Sequence, residues 1–133
     1  MAGDGPLPVV REANIQDKYL AAIRSGAKTV EGRLRRGSLG ETAVGDTLLL
    51  SSSSDQLKCL VVRVSSYATF ADMLAAEGLA ACLPGVLSIP EGAELYRAFP
   101  GYSEGERLHG VVALQLQLRS EYAGRDPEVA SQG

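Results

Sequence analysis

The apolar positions change period along the chain, and each change marks an element. Leu7 to Val10 is short and β-branched around Pro8, which predicts a first strand. Ile15, Tyr19, Leu20 and Ile23 then fall at helical spacing, with Gln16, Lys18 and Arg24 turned outward. Asn14 suits the N-cap, Asp17 suits the positive end of the helix dipole, and Gly26 suits the left-handed residue that ends the helix. Lys28 therefore lies just past a helix C-terminus, where partial negative charge favours its ammonium. Thr29 to Leu34 reads as a strand. On it Glu31 and Arg33, two residues apart, share a face. Lys28 stands at the strand's entrance, so alternation does not fix its direction. Arg35, Arg36, Gly37 and Gly40 form a basic turn and loop.

Gly45-Asp46 is a turn into a buried strand, Thr47 to Leu50. Ser51 to Asp55 is a polar loop. Leu57 to Tyr67 predicts a long central strand, apolar on both faces in part and interrupted by Arg63. Thr69 is a natural N-cap for a helix that buries Phe70, Met73 and Leu74, with Asp72 in the capping-box position and Gly78 closing it. Leu79 to Leu83 forms a separate helical turn, stopped by Pro84-Gly85. Pro90 opens a short helix whose apolar side is Leu95, Tyr96 and Phe99, and Pro100-Gly101 breaks it. Tyr102 to Arg107 reads as a polar loop. Val112, Leu114, Leu116 and Leu118 alternate with Ala113, Gln115 and Gln117, a half-buried strand of period two. Glu121 to Gly133 is polar and is expected to fray. The order is strand, helix, several strands, helices, strand. That order favours an α+β fold, a compact β-barrel with helices outside it. No repeat or linker divides the chain. The expectation is one domain over residues 1–133, with a core at about 7–119 and a tail at 120–133.

Composition narrows the function classes. The net charge is -3, which argues against coating duplex DNA but leaves room for a local basic pocket. Cys59 and Cys82 read as small buried hydrophobes, in keeping with a reducing compartment; a disulfide is the less favoured reading. Two cysteines and His109 do not supply a usual closed zinc site. No P-loop or G-x-G-x-x-G is present, so no cofactor is expected, and the lack of a Gly-x-Ser-x-Gly elbow argues against a Ser-His-Asp triad at His109. The N-terminus has no secretory pattern, and no apolar run reaches spanning length. The expected setting is intracellular, cytoplasmic or nuclear, away from membranes.

Gly26 to Arg33 gathers the most varied chemistry. An ammonium and a guanidinium, Lys28 and Arg33, can hold a phosphate or polarise a carbonyl. Glu31 can orient Arg33, accept from a base edge, or act as a general base. The bland alternative is a cross-strand salt-bridge network. Thr29 adds a hydroxyl. Arg35, Arg36 and Arg63 are basic-rim candidates, with a solvated turn or a snorkelling strand position as even alternatives. Of Tyr67, Phe70, Tyr96, Phe99 and Tyr102, helical spacing assigns Phe70 and Phe99 to the core. Tyr102, in a loop beside Gly101, is the better base-stacking candidate. His109 is read as a strand-start histidine.

The stretch Gly26-x-Lys28-x-x-Glu31-x-Arg33 resembles the signature of the ASCH domain family. The Gly45-Asp46 turn, the Tyr67-Ala68-Thr69-Phe70 helix opening and the Tyr96-to-Tyr102 stretch before Gly110-Val-Val-Ala-Leu are also similar to that family, over roughly residues 7 to 119. The resemblance implies a PUA-like small β-barrel with flanking helices. It also implies a cleft for RNA or a modified nucleoside, with Lys28, Thr29, Glu31, Arg33, Arg63 and Tyr102 as ligand-binding candidates. One branch of the family hydrolyses an acetyl amide of modified cytidine with a Lys, a Thr and a Glu, and another is ribonuclease-like. Lys28 matches the lysine. The threonine's place holds Glu31, and Glu91 and Glu94 match the glutamate only by region. As an enzyme the chain would use Lys28 and Glu31. A protein-interaction domain in a transcription or RNA-processing complex is the third reading.

Overall fold

A computed structural model describes residues 6–119; the polar tail expected beyond them lies outside the described residues. The elements are β1 (Val10–Asn14), α1 (Asp17–Ser25), β2 (Val30–Leu34), α2 (Gly37–Gly40), β3 (Thr47–Ser51), β4 (Gln56–Tyr67), α3 (Phe70–Glu77), α4 (Leu79–Cys82), α5 (Ile89–Arg97), α6 (Tyr102–His109) and β5 (Val111–Leu118). The strands form one curled sheet in the order β1-β3-β4-β5-β2. Only β1 and β3 run parallel; the other pairs are antiparallel. This is the expected small barrel with flanking helices, left half closed, with β1 and β2 as its two edges.

Helices cover both faces. On one face Leu20 and Ile23 of α1 pack on Leu48, Leu50, Leu57, Cys59, Val61, Val112 and Leu114. On the other, α3, α4 and α5 bring Phe70, Met73, Cys82 and Tyr96 onto Val30, Leu34, Val111 and Ala113. β5 lies between two strands and two helical layers, so Val111 and Ala113 are buried as well as Val112 and Leu114. The half-buried reading of that strand is therefore corrected. Cys59 and Cys82 are free thiols in separate clusters, pushed up to about 11 by burial.

Several local expectations shift. The first strand is Val10–Asn14, not Leu7 to Val10, because backbone pairing and Asp46 hold it and not apolar burial. Asp46 accepts from Val9 N–H and Arg11 Nε, and from Ala43 N–H across its own turn. Asn14 ends β1, and Gln16 takes the helix N-cap without a side-chain bond. Gly26 ends α1 at φ 91°, as its sequence position suggests. Thr69 caps α3, its hydroxyl accepting from Asp72 N–H. Tyr102 to His109 is a helix and not a polar loop. Gly101, at φ 80°, turns the chain into it, and Arg97 on α5 pairs with its buried Glu106. His109 ends that helix instead of starting a strand.

Candidate functional site

The two edges of the half-barrel come close where β1 ends and β2 runs past it, but no backbone ladder joins them. Arg33 crosses the gap, its Nη2 donating to the Asn14 carbonyl at 2.5 Å. Beside this crossing is a hollow of about 760 Å³, a size typical of small-molecule sites. The β1–α1 junction forms one wall, with Asn14, Gln16, Lys18 and Tyr19. β2 and the residues leading into it form the floor, with Lys28, Glu31, Gly32 and Arg33. The corner between α5 and α6 closes it with Tyr96, Phe99, Pro100 and Tyr102.

The floor is an ion cluster. The alternation of β2 turns Glu31 and Arg33 to one side, and Arg33 Nε donates to Glu31 Oε2 at 2.6 Å. The question of Lys28's direction is settled by the chain reversal at Gly26. Its side chain folds back into the protein, 3% exposed, and Nζ donates to the carbonyls of Val30 and Cys82 at 2.6 Å each. Nζ also lies 3.1 Å from Glu31 Oε1. An ammonium has three donors, and all three are engaged. Burial alone would raise the Glu31 pKa, but Lys28 and Arg33 outweigh it and hold the carboxyl below its ordinary value. Glu31 is thus a buried, ionised acceptor. Burial would lower Arg33, yet Glu31, with Tyr102 beside it, holds the guanidinium above its ordinary value.

The walls are aromatic. Two ammonium groups lie near the Tyr19 ring, Lys18 Nζ at 5.1 Å and Lys28 Nζ at 5.6 Å from its centroid. Tyr96 stacks on Phe70 at 4.2 Å, and Phe70 on Tyr102 at 5.9 Å, so a run of near-parallel rings leads from the core to the hollow. Phe99 leans on Tyr102 at 5.5 Å and is 43% exposed at the opening. Tyr96 is 7% exposed, and its hydroxyl has no hydrogen-bond partner among the described residues. Burial, then the Glu31 charge, push that phenol far above its ordinary pKa, so it stays protonated.

Lys28, Glu31, Arg33 and Tyr102 therefore come together. Thr29 does not join them; it is exposed outside the hollow, its N–H donating to the Ala81 carbonyl. Arg63 is also elsewhere, ion-paired with Glu77 at 2.5 Å and bonded to Gln115. Glu91 accepts from Ser88 at the start of α5, and Glu94 pairs with Arg97; neither lines the hollow. Arg35 and Arg36 are exposed, and Arg36 reaches toward Gly101 beside the hollow's rim. Phe70 is core as expected. Phe99 is not, because it follows the end of α5, where helical spacing no longer applies.

Sequence reasoning missed Lys18 and Tyr19 as lining residues. One turn of α1 carries both, next to the buried Leu20, and a helical wheel places them at the edge of its apolar stripe. Among the described residues no group of three His, Cys, Asp or Glu gathers to hold a metal, and no helix is long and apolar enough to cross a membrane.

A family model described as the ASCH domain matches residues 14–120. Similar solved structures include the crystal structure of hypothetical protein PH0355. It is 35% identical with a TM-score of 0.76, over 82% of this chain and 98% of that one. The solution structure of protein PF0455 from Pyrococcus furiosus is 34% identical with a TM-score of 0.67, over 83% of this chain and 97% of that one. The crystal structure of ASCH from Zymomonas mobilis shares the fold, with a TM-score of 0.55 at 16% identity over 81% of this chain and 66% of that one. No match is found among curated proteins.

Proposed function

This chain belongs to the ASCH domain family, and on that premise we propose that it is a binding module that takes a nucleoside unit of RNA, or a modified nucleoside, in the hollow beside Arg33. The observation that carries this reading is the pairing of an ionised, buried carboxylate with aromatic walls in one concavity. A planar base gains stacking on Phe99, Tyr19 or Tyr102. Glu31, which only accepts, takes an N–H or O–H of the base or ribose in a charge-assisted bond. Arg33 keeps donors free for the guest's oxygens.

The rival reading, a hydrolase using Lys28 and Glu31, has less support. Lys28 has no donor left to polarise a carbonyl, and its contacts hold it away from a nucleophile's role. Glu31 is held in its weakly basic form by two cations, whereas a general base near neutrality needs a raised pKa. Thr29 stands outside the hollow. Among the described residues no feature of the surface favours a protein partner over a small guest.

Titration of the purified protein with ribonucleosides and short single-stranded RNA, followed by tyrosine fluorescence and calorimetry, tests the proposal. Phe99→Ala removes a half-exposed stacking wall and is expected to weaken binding by about tenfold or more while the thermal transition is kept. Binding unaffected by both Phe99→Ala and Glu31→Gln would overturn it. Release of acetate from N4-acetylcytidine at a rate sensitive to Glu31→Gln would restore the hydrolase.

A further inference from the structure

The charge on the hollow constrains what fills it. Four ionic side chains line it: Lys18, Lys28 and Arg33 are cationic and Glu31 is anionic. Three positive charges less one negative leave +2, in a chain whose net charge is -3. This concentration of positive charge does not follow from composition. From it we infer that the guest is anionic: a nucleotide held through its phosphate by Arg33 and Lys18, in preference to a neutral nucleoside. The inference rests on the proposed nucleoside-binding reading and deepens it.

The donors show where the phosphate goes. Lys28 is excluded, since its three N–H groups meet Val30, Cys82 and Glu31. Arg33 carries five N–H groups. Nε is engaged by Glu31 and one N–H of Nη2 by the Asn14 carbonyl. Of the remaining three, one meets the Tyr102 hydroxyl, which leaves two for the hollow. They sit on the shallower partner, for the Arg33 side chain is 17% exposed against 9% for Glu31. Tyr102 adds a hydroxyl at the same guanidinium. Lys18 stands exposed on the β1–α1 wall, its ammonium over the Tyr19 ring. A phosphate offers acceptor oxygens only, which suits the two guanidinium donors that remain. A neutral nucleoside would cover the Lys28–Glu31–Arg33 cluster, which carries one net positive charge, without bringing it a counter-charge, and that is costly away from water.

The source of the phosphate is either a free nucleoside monophosphate or the backbone of a single RNA strand. Calorimetry with the full chain distinguishes them. The probes are the four ribonucleosides, their 5′- and 3′-monophosphates, inorganic phosphate, and a mixed-sequence single-stranded RNA hexamer, each at low and high salt. The expected result is that monophosphates or the hexamer bind about tenfold or more tightly than the matching nucleosides. That advantage should fall with rising salt by a log–log slope of roughly -0.7 per phosphate contact. Lys18→Gln alters an exposed residue, so folding is retained, and it is expected to shrink the advantage of the phosphorylated probes over the nucleosides. A preference for the hexamer assigns the phosphate to a strand; a preference for monophosphates assigns it to a free nucleotide. Equal, salt-independent affinity for nucleoside and monophosphate would overturn this inference and leave nucleoside binding standing. No binding of any probe would overturn both, and binding of inorganic phosphate with no nucleotide preference would overturn the nucleotide assignment.

Discussion

Replacing Tyr96 with Phe is expected to make the empty protein more stable. The Tyr96 hydroxyl lacks a hydrogen-bond partner in the folded state and is shut off from solvent, whereas in the unfolded chain it is hydrated. A buried polar group left unsatisfied costs about 1–3 kcal/mol. Phe keeps the ring, and with it the stack on Phe70 at 4.2 Å and 5°. The loss of one oxygen leaves only a small void against Gly32, whose missing side chain is what lets the hydroxyl approach. The expected gain is about 1 kcal/mol after that void is charged against it, or a rise of roughly 4 °C in Tm for a domain of this size. The effect also depends on pH. Because the folded-state pKa of Tyr96 is raised, its contribution to stability is complete below the unfolded value of about 10 and declines as pH rises beyond it. The Phe variant cannot ionise there, so its advantage over the wild type should widen in alkali. Thermal melts of both proteins at neutral and alkaline pH, without ligand, measure this. A variant less stable than the wild type at neutral pH would refute the reasoning, since it would mean the hydroxyl has a partner within the fold.

Four further outcomes are expected. Glu31→Gln should destabilise the protein by about 3–5 kcal/mol at neutral pH, because it strands Lys28 and Arg33 without their shared counter-charge, and denaturant unfolding would measure it. Glu31, Asp46 and Glu106 are all held below the ordinary carboxylate range, with burial opposed by the cations and N–H groups around them. The stability they confer is present above about pH 4 and is lost as pH falls below it. An acid limb of the denaturant midpoint that is unchanged in Glu31→Gln would contradict the assignment for that group. Gly110→Ala should cost roughly 1–3 kcal/mol, because φ there is 73° and a Cβ would stand 2.9 Å from the Tyr67 carbonyl oxygen; a circular-dichroism melt reads the loss. Arg63→Ala should leave RNA and nucleoside affinity unchanged, since its partners are Glu77, Ser65 and Gln115 and not the hollow.

What could be read from the sequence was whatever depends on near neighbours. Period two placed Glu31 and Arg33 on one face, Gly26 ended the first helix, and Thr69 capped the third; all are settled within a few residues. The resemblance carried by Gly26 to Arg33 supplied the family and the barrel. The walls of the hollow were hidden because contacts across long stretches of chain make them. Tyr19 and Phe99 are 80 residues apart and meet only once the half-barrel curls. The direction of Lys28 was hidden for the same reason, since the Cys82 carbonyl that receives it lies 54 residues on. The early helix-or-loop error at Tyr102 has a different cause. That segment is polar because most of one face is in water, and its helical state depends on the Arg97–Glu106 pair and on packing of Gly105 against Leu34.

The sheet is a cuff whose two hems are fastened by one arginine. β1 and β2 share no ladder, so the spacing between them is set by the reach of the Arg33 side chain to Asn14. The rungs that join β3, β4, β5 and β2, and the core packed on them, do not include that fastening. A change to that single clasp in this chain would therefore widen or narrow the mouth of the hollow, while the tightly packed interior keeps its dimensions.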